Sequence, residues 1–186
     1  MKIFALYFKV KLIQKPEWFD GFRKEYDEPH DLHVTLIQPK YIKEGQVDAM
    51  KSKVTEVLNR QKISEDDKKL IFDKLAPRTK GDDGKYIFMV GCTKNDFLYN
   101  FQKELQTKLT EFNNYVDKIT IGYENNFKPH ITIAVNLDDK RKDEAEKYFN
   151  SDYTCIGYFD ELILAVVKDQ SIEERTNLNN KTAFKL

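Results

Sequence analysis

The sequence predicts an α+β or α/β sandwich with internal pseudo-symmetry, on three observations. Runs of strand character alternate with amphipathic helices. The two halves of the chain pass through these elements in a similar order. Each half also carries one copy of the same short pattern, His33-Val34-Thr35-Leu36 and His130-Ile131-Thr132-Ile133. At 186 residues, 40% hydrophobic and 13% aromatic, the chain has enough apolar material for a sizeable core. We read residues 1–186 as one domain of two intimately packed halves.

In the first half, residues 2–10 read as a strand. The apolar run is too short to span a bilayer, has no small-residue cleavage signature after it, and no other segment approaches transmembrane length. A loop with Pro16, Trp18 and Gly21 leads to a second apolar run, Leu32 to Ile37, stopped by Pro39. Residues 46–62 place Val47, Met50, Val54, Val57 and Leu58 at helical spacing. Strands follow at Lys69 to Leu75 and Tyr86 to Cys92. Between them the polar, glycine-bearing stretch from Pro77 to Gly84 reads as a loop free to move.

In the second half, a helix over 95–112 carries an apolar stripe of Phe97, Phe101, Leu105, Leu109 and Phe112. A strand is expected at Ile119 to Tyr123 and another at Ile131 to Val135. A charged helix with a solvated face occupies 139–149, and a long strand region runs from Tyr153 to Val167. Asn177 to Asn180 reads as a turn before a final strand, Thr182 to Leu186.

Charge and cysteine usage narrow the function. Lys plus Arg and Asp plus Glu number 31 each. A protein that grips long duplex nucleic acid shows a basic surplus, so neutrality favours a small phosphate substrate met by a few placed groups. Cys92 and Cys155 lie inside apolar strand runs, as free, buried thiols of a cytoplasmic protein do. We expect no membrane partner, and a monomer.

The repeated tetrads carry the chemistry. Side chains alternate across a strand, so His33 and Thr35 share one face while Val34 and Leu36 anchor the other, and the same holds for His130 and Thr132. Near neutral pH one imidazole can take a proton from an attacking oxygen while a second gives one to the leaving oxygen. The two hydroxyls can hydrogen-bond the non-bridging oxygens of a phosphodiester. A single His-x-Thr on a strand says little; two copies among three histidines is hard to reach by chance. Such a site needs neither metal nor other cofactor. His30-Asp31-Leu32-His33 invites a metal reading, but on a strand His30 and His33 point to opposite faces, with no third ligand near in sequence. His30 is read instead as a loop residue beside the site or on the surface.

Phe127-Lys128-Pro129-His130-Ile131-Thr132-Ile133-Ala134 resembles the second motif of the two-histidine (2H) phosphoesterase superfamily, which includes 2'-5' RNA ligase-like and cyclic phosphodiesterase proteins, and Leu32-His33-Val34-Thr35-Leu36 resembles the first. The likeness spans nearly the whole chain. It implies an α+β fold of two similar lobes, each a mainly antiparallel sheet with outer helices, closing on a central cleft. It also implies that His33, Thr35, His130 and Thr132 face one another across that cleft. The substrates it implies are nucleotides or short oligonucleotides: 2',3'-cyclic phosphate ends, 2'-5' linkages or cyclic nucleotides, with RNA end ligation as the reverse reaction. Arg78 and Lys80 are candidates to clamp a phosphate or base, and Tyr41, Tyr123, Phe127 and Tyr158 to stack on one. A module that binds a nucleotide without turning it over is the alternative.

Overall fold

A computed structural model describes residues 1–28, 30–75, 79–80, 83–150 and 152–186. In chain order the elements are β1 (Lys2–Gln14), α1 (Phe19–Tyr26), β2 (His33–Ile42), α2 (Val47–Arg60), α3 (Glu65–Lys68), β3 (Lys69–Leu75), β4 (Thr79–Lys80), β5 (Tyr86–Cys92), α4 (Asp96–Lys108), α5 (Thr120–Asn125), β6 (His130–Leu137), α6 (Asp139–Glu146), β7 (Cys155–Val167), α7 (Ile172–Thr176) and β8 (Lys181–Lys185).

Among the described residues the strands form one eight-stranded sheet, ordered β2-β1-β7-β3-β5-β4, with β6 also on β5 and β8 also on β7. Every pairing is antiparallel. β7 is the seam between the lobes. Along one side it pairs with β1, from Ile3↔Val167 to Gln14↔Ile156. Along the other, its first residues pair with β3 and its later ones with β8. Gly157 sits where β1, β7 and β3 run closest: a Cβ there would lie 2.7 Å from the Lys11 carbonyl oxygen, so no larger residue fits without displacing backbone.

The two motif strands repeat each other in detail. β2 and β6 begin with the same exposure pattern: half-buried His, buried aliphatic, half-buried Thr, then two buried residues in a row. The doubled inward pair is Leu36-Ile37 in one strand and Ile133-Ala134 in the other, and each coincides with a register shift against its neighbour. A bulge of this kind adds one residue and resets the alternation. Residues beyond it, Gln38 and Val135, therefore return to the open face on which the motif began.

Helices cover each lobe. α2 buries Met50, Val54 and Val57, and α4 buries Leu98, Phe101 and Leu105. Phe101 stacks on Phe8 of β1 at 5.4 Å, and Phe8 stacks on Phe159 of β7 at 4.1 Å. In the other lobe α1 and α6 pack on β6, with Phe22 edge-on to Tyr148 and Phe149. Each fully buried aromatic or aliphatic side chain contributes roughly 1.5–3 kcal/mol relative to exposure. Cys92 and Cys155 are free and buried, and burial pushes both thiols up, to about 11 and about 12. No helix among the described residues is long and apolar enough to cross a membrane.

The structure corrects several local expectations. Within the stretch from Pro77 to Gly84, read as a loop, Thr79–Lys80 form β4 against β5, while residues 77–78 and 81–82 lie outside the described residues. The stretch around Gly21 is a helix, because Phe19, Phe22 and Tyr26 recur at helical spacing and are buried, while Gly21 faces open space. β2 does not stop at Pro39 but continues to Ile42. It lies at the end of the sheet order, where a strand tolerates a residue without an N–H. Where a strand is expected at Ile119 to Tyr123, Thr120–Asn125 form helix α5. The β-branched alternation that misled there is exposed: Ile119, Ile121 and Tyr123 face solvent, and the buried residue is Glu124.

Glu124 explains why α5 is held. Its carboxylate receives the Lys40 ammonium at 2.7 Å, the Tyr115 hydroxyl at 2.8 Å and the Gln38 backbone N–H at 2.9 Å, and both ion-pair side chains are fully buried. A buried charge stripped of its partner is strongly destabilising, whereas replacing both by apolar groups is close to neutral. Glu124→Leu should therefore lower stability to urea by about 3–5 kcal/mol. Lys40→Met added to it should recover most of the loss. A single variant with wild-type stability would show that the pair does not secure this end of β2.

Candidate active site

Both motif strands present their imidazoles in the same way. Val34, Leu36, Ile131 and Ile133 are buried, which turns His33 with Thr35, and His130 with Thr132, to the opposite faces of their strands. His33 Nδ1 lies 2.8 Å from the Asp31 carbonyl oxygen, and His130 Nδ1 lies 2.8 Å from that of Lys128. A carbonyl oxygen only accepts, so in each neutral ring Nδ1–H donates and Nε2 keeps its lone pair. The backbone two residues upstream thus fixes tautomer and ring orientation together.

β2 and β6 are in contact although they lie at opposite ends of the sheet's pairing order, so the sheet curls until its two motif strands meet. The meeting is close enough that the charge of His130 acts on His33. Burial pushes the His33 imidazole down to about 4; positive charge on His30 or His130 lowers it further, and Asp31 opposes through its carbonyl and its charge. His130 is also lowered by burial, against the stabilising bond to Lys128. Both rings are therefore neutral bases at neutral pH.

His33, Thr35 and Thr132 line a cavity of about 320 Å³ whose floor is the face of β1 carrying Ile3, Ala5 and Tyr7. Tyr7 lies across from Thr35 in the strand pairing, and its ring is 4.8 Å from that of His33. Its hydroxyl is raised to about 12, first by burial and then by Asp31, so it remains a donor. His30 precedes β2, lines the same cavity, and sets its ring edge-on to His33 at 5.4 Å. His130 itself is not on the cavity lining. Among the described residues no group of three His, Cys, Asp or Glu side chains is placed to hold a metal ion.

The remaining sequence candidates lie elsewhere. Tyr41 donates its backbone N–H to the Asn114 carbonyl at 2.6 Å. Lys80 sits over the Tyr86 ring, 3.8 Å from Asp139. Tyr123 is exposed on α5, Phe127 packs edge-on to Tyr99, and Tyr158 lies beneath the Lys11 ammonium. None of these five lines the cavity. Arg78 lies outside the described residues. Sequence reasoning missed Tyr7, Asp31, Gln38, Gln170, Arg175 and Lys181, all on the lining. Tyr7 was findable only through the β1–β2 register; the others carry no local signature.

A curled antiparallel sheet that brings two His-x-Thr strands together defines a two-histidine phosphoesterase fold. A sequence model described as the 2'-5' RNA ligase superfamily matches residues 11–170, and the chain belongs to that superfamily. No curated protein sequence matches it. Among solved structures it is similar to Kluyveromyces marxianus Usb1 with uridine monophosphate, at 10% identity and a TM-score of 0.57, covering 99% of this chain and 98% of that one. A second Usb1 structure from the same yeast gives 11% identity and a TM-score of 0.55 at the same coverage.

The depressed His33 has a consequence for stability. The unfolded imidazole titrates near 6.5, at roughly its reference value, and the folded one at about 4. Between those values the unfolded chain binds a proton that the folded chain does not, so stability should fall as pH drops through that window. His33→Gln should flatten this part of the stability–pH curve in urea titrations. A curve parallel to wild type would mean that the fold does not hold the ring neutral.

Proposed function

We propose that this chain is a metal-independent phosphodiesterase acting on nucleotides or short RNA phosphodiesters by paired-histidine acid–base catalysis, with residues 1–186 acting as one bilobal unit. The observation that carries the reading is the matched pair of imidazoles, each tied back at Nδ1 and each with a free Nε2. Membership of the 2'-5' RNA ligase superfamily supports it, as does the likeness to Usb1, a protein captured with uridine monophosphate.

With a 2',3'-cyclic phosphate, one Nε2 removes a proton from water as the oxygen attacks phosphorus. The other imidazole, protonated, returns a proton to the ribose oxygen as its bond to phosphorus breaks. Thr35 and Thr132 donate hydrogen bonds to the non-bridging oxygens, where charge builds. Both rings are neutral at rest, so the acid takes up its proton as the anionic phosphate arrives and offsets the burial that had held it low. With the hydroxyl of a second RNA end in place of water, the same groups join RNA ends: the base takes that hydroxyl's proton and the acid returns one to the ribose oxygen that leaves phosphorus. The zero net charge supports a small or short substrate over a long duplex, and the two free, buried thiols suit the cytoplasm; the chain is proposed to work there as a monomer, without a membrane partner.

The direct test is turnover, in EDTA, of 2',3'-cyclic nucleotides, 2'-5'-linked oligoadenylate and cyclic nucleotides. His33→Ala and His130→Ala should each lose about 10² or more in kcat. Activity that survives both substitutions, or vanishes with chelator, overturns the mechanism. Nucleotide binding without turnover would make the chain a sequestering module. The pH profile gives a second check. Because both imidazoles are depressed, kcat/KM should rise as pH falls below about 6.5 and decline again toward pH 4, where His33 charges. A maximum above pH 8 would exclude two depressed imidazoles as the working pair.

A further inference from the structure

The cavity extends well beyond the histidines. Strand pairing sets His33 level with Lys9 and Thr35 level with Tyr7. From Tyr7 the floor continues through Ala5 to Ile3, four residues or roughly 13 Å along β1. Across it lie Ala165 and Val167 of β7, paired with Ala5 and Ile3. The two alanines face each other where the sheet elsewhere carries Phe, Leu and Ile, which leaves a shallow, flat, apolar floor. Ile172 of α7, 47% exposed, stands at its side.

Two amides look onto this arm. The bulge in β2 turns Gln38 back to the open face, and Gln170 follows the end of β7 beside Val167; both line the cavity. Among the described residues neither side-chain amide has a hydrogen-bond partner. Yet Gln38 is held firmly: its backbone N–H is fixed by the buried Glu124 carboxylate, and the next carbonyl, of Pro39, accepts from Val116. In the pseudo-symmetric position the other lobe has Val135, which can make no polar contact through its side chain.

The charges near the arm engage one another. Glu28 meets Arg175 at 3.0 Å, and Asp31 lies 3.5 Å from Lys9 and 3.8 Å from Lys181. Glu28 thus offsets Arg175, while Asp31 is shared between two lysines, and these charges lie to the side of the apolar floor rather than on it. An apolar floor and two amides without a protein partner among the described residues suit an uncharged, flat heterocycle with polar edges.

We propose that this arm seats the nucleobase of the substrate, and that Gln38, assisted by Gln170, reads the base edge and sets base preference. This rests on the phosphodiesterase reading, which places the phosphate at His33, Thr35, His130 and Thr132. A carboxamide presents a donor beside an acceptor and so matches adjacent acceptor and donor atoms on a base. An amide pre-set by the fold favours the base that satisfies it and rejects one that leaves it unpaired.

The experiment compares wild type, Gln38→Leu and Gln170→Leu on the 2',3'-cyclic phosphates of adenosine, guanosine, cytidine and uridine, and on ribose 2',3'-cyclic phosphate, which has no base. Wild type should rank the four bases and show a higher KM for the abasic compound. Gln38→Leu should raise KM for the preferred base about five- to tenfold, bring the four bases close together, and leave kcat and the abasic substrate unchanged. Gln170→Leu should do the same more weakly. Equal KM for abasic and nucleoside substrates in wild type, or a base ranking intact in both variants, overturns the proposal while leaving the two-histidine mechanism standing. If wild type turns over none of the five, titration calorimetry with the four 3'-nucleoside monophosphates decides. Base-selective binding that is lost in Gln38→Leu sustains the inference. Unselective binding, or none, removes it.

Discussion

The pairing of β1 with β7 joins Ile3 to Val167 and Leu12 to Gly157, and the arrangement of the two His-x-Thr strands is built outward from it. β2 hangs on the free side of β1, and β3, β5 and β6 follow in turn from the far side of β7. Each motif strand is therefore anchored to its own part of the sheet, and only the curl of the whole brings them together. The requirement is severe at Gly157, where backbone approaches too closely for a side chain. It is met by the stacked rings of Phe8, Phe101 and Phe159, which fill one side of the seam.

The two lobes solve the same local problem with different chemistry. Each has its motif strand begin with a His-x-Thr face, bury two successive residues, and return to the open face. Past the bulge, however, β6 buries Leu137 where β2 buries Lys40. Hydrophobic burial holds the one; a fully desolvated ion pair with Glu124 holds the other. Such a pair is a poor source of net stability but an orienting one, since its partners have no satisfactory alternative position. It fixes Gln38, and it ties β2 to α5 and to Gln102 of α4, which donates to the Glu124 carbonyl.

Much of this could be read in the sequence, for physical reasons that also mark the limits. β3 and β5 run over the residues expected, because their apolar runs are bounded by polar sequence on both sides. The motif histidines and threonines were legible because strand alternation forces them to share a face. α1 was not, since Gly21 and Pro16 punctuate it locally while its aromatic spacing matters only once a sheet lies beneath. Residues 119–123 alternate like a strand, but their apolar members remain in solvent, and a single buried glutamate decides the helix. Tyr7, Gln38, Gln170 and Lys181 come from four places in the chain and meet only through strand register, which no local pattern encodes.

The seam strand also fixes when the site comes into being. During synthesis the first motif emerges early, but its supporting strand β1 has no partner on its inner side until β7 has been made. Contacts of such sequence separation close slowly. Until then the inner edge of the β1–β2 pair is open, so the nascent chain passes through an interval in which an apolar strand edge is free to adhere to other chains. The two motif strands meet only once β7 is in place.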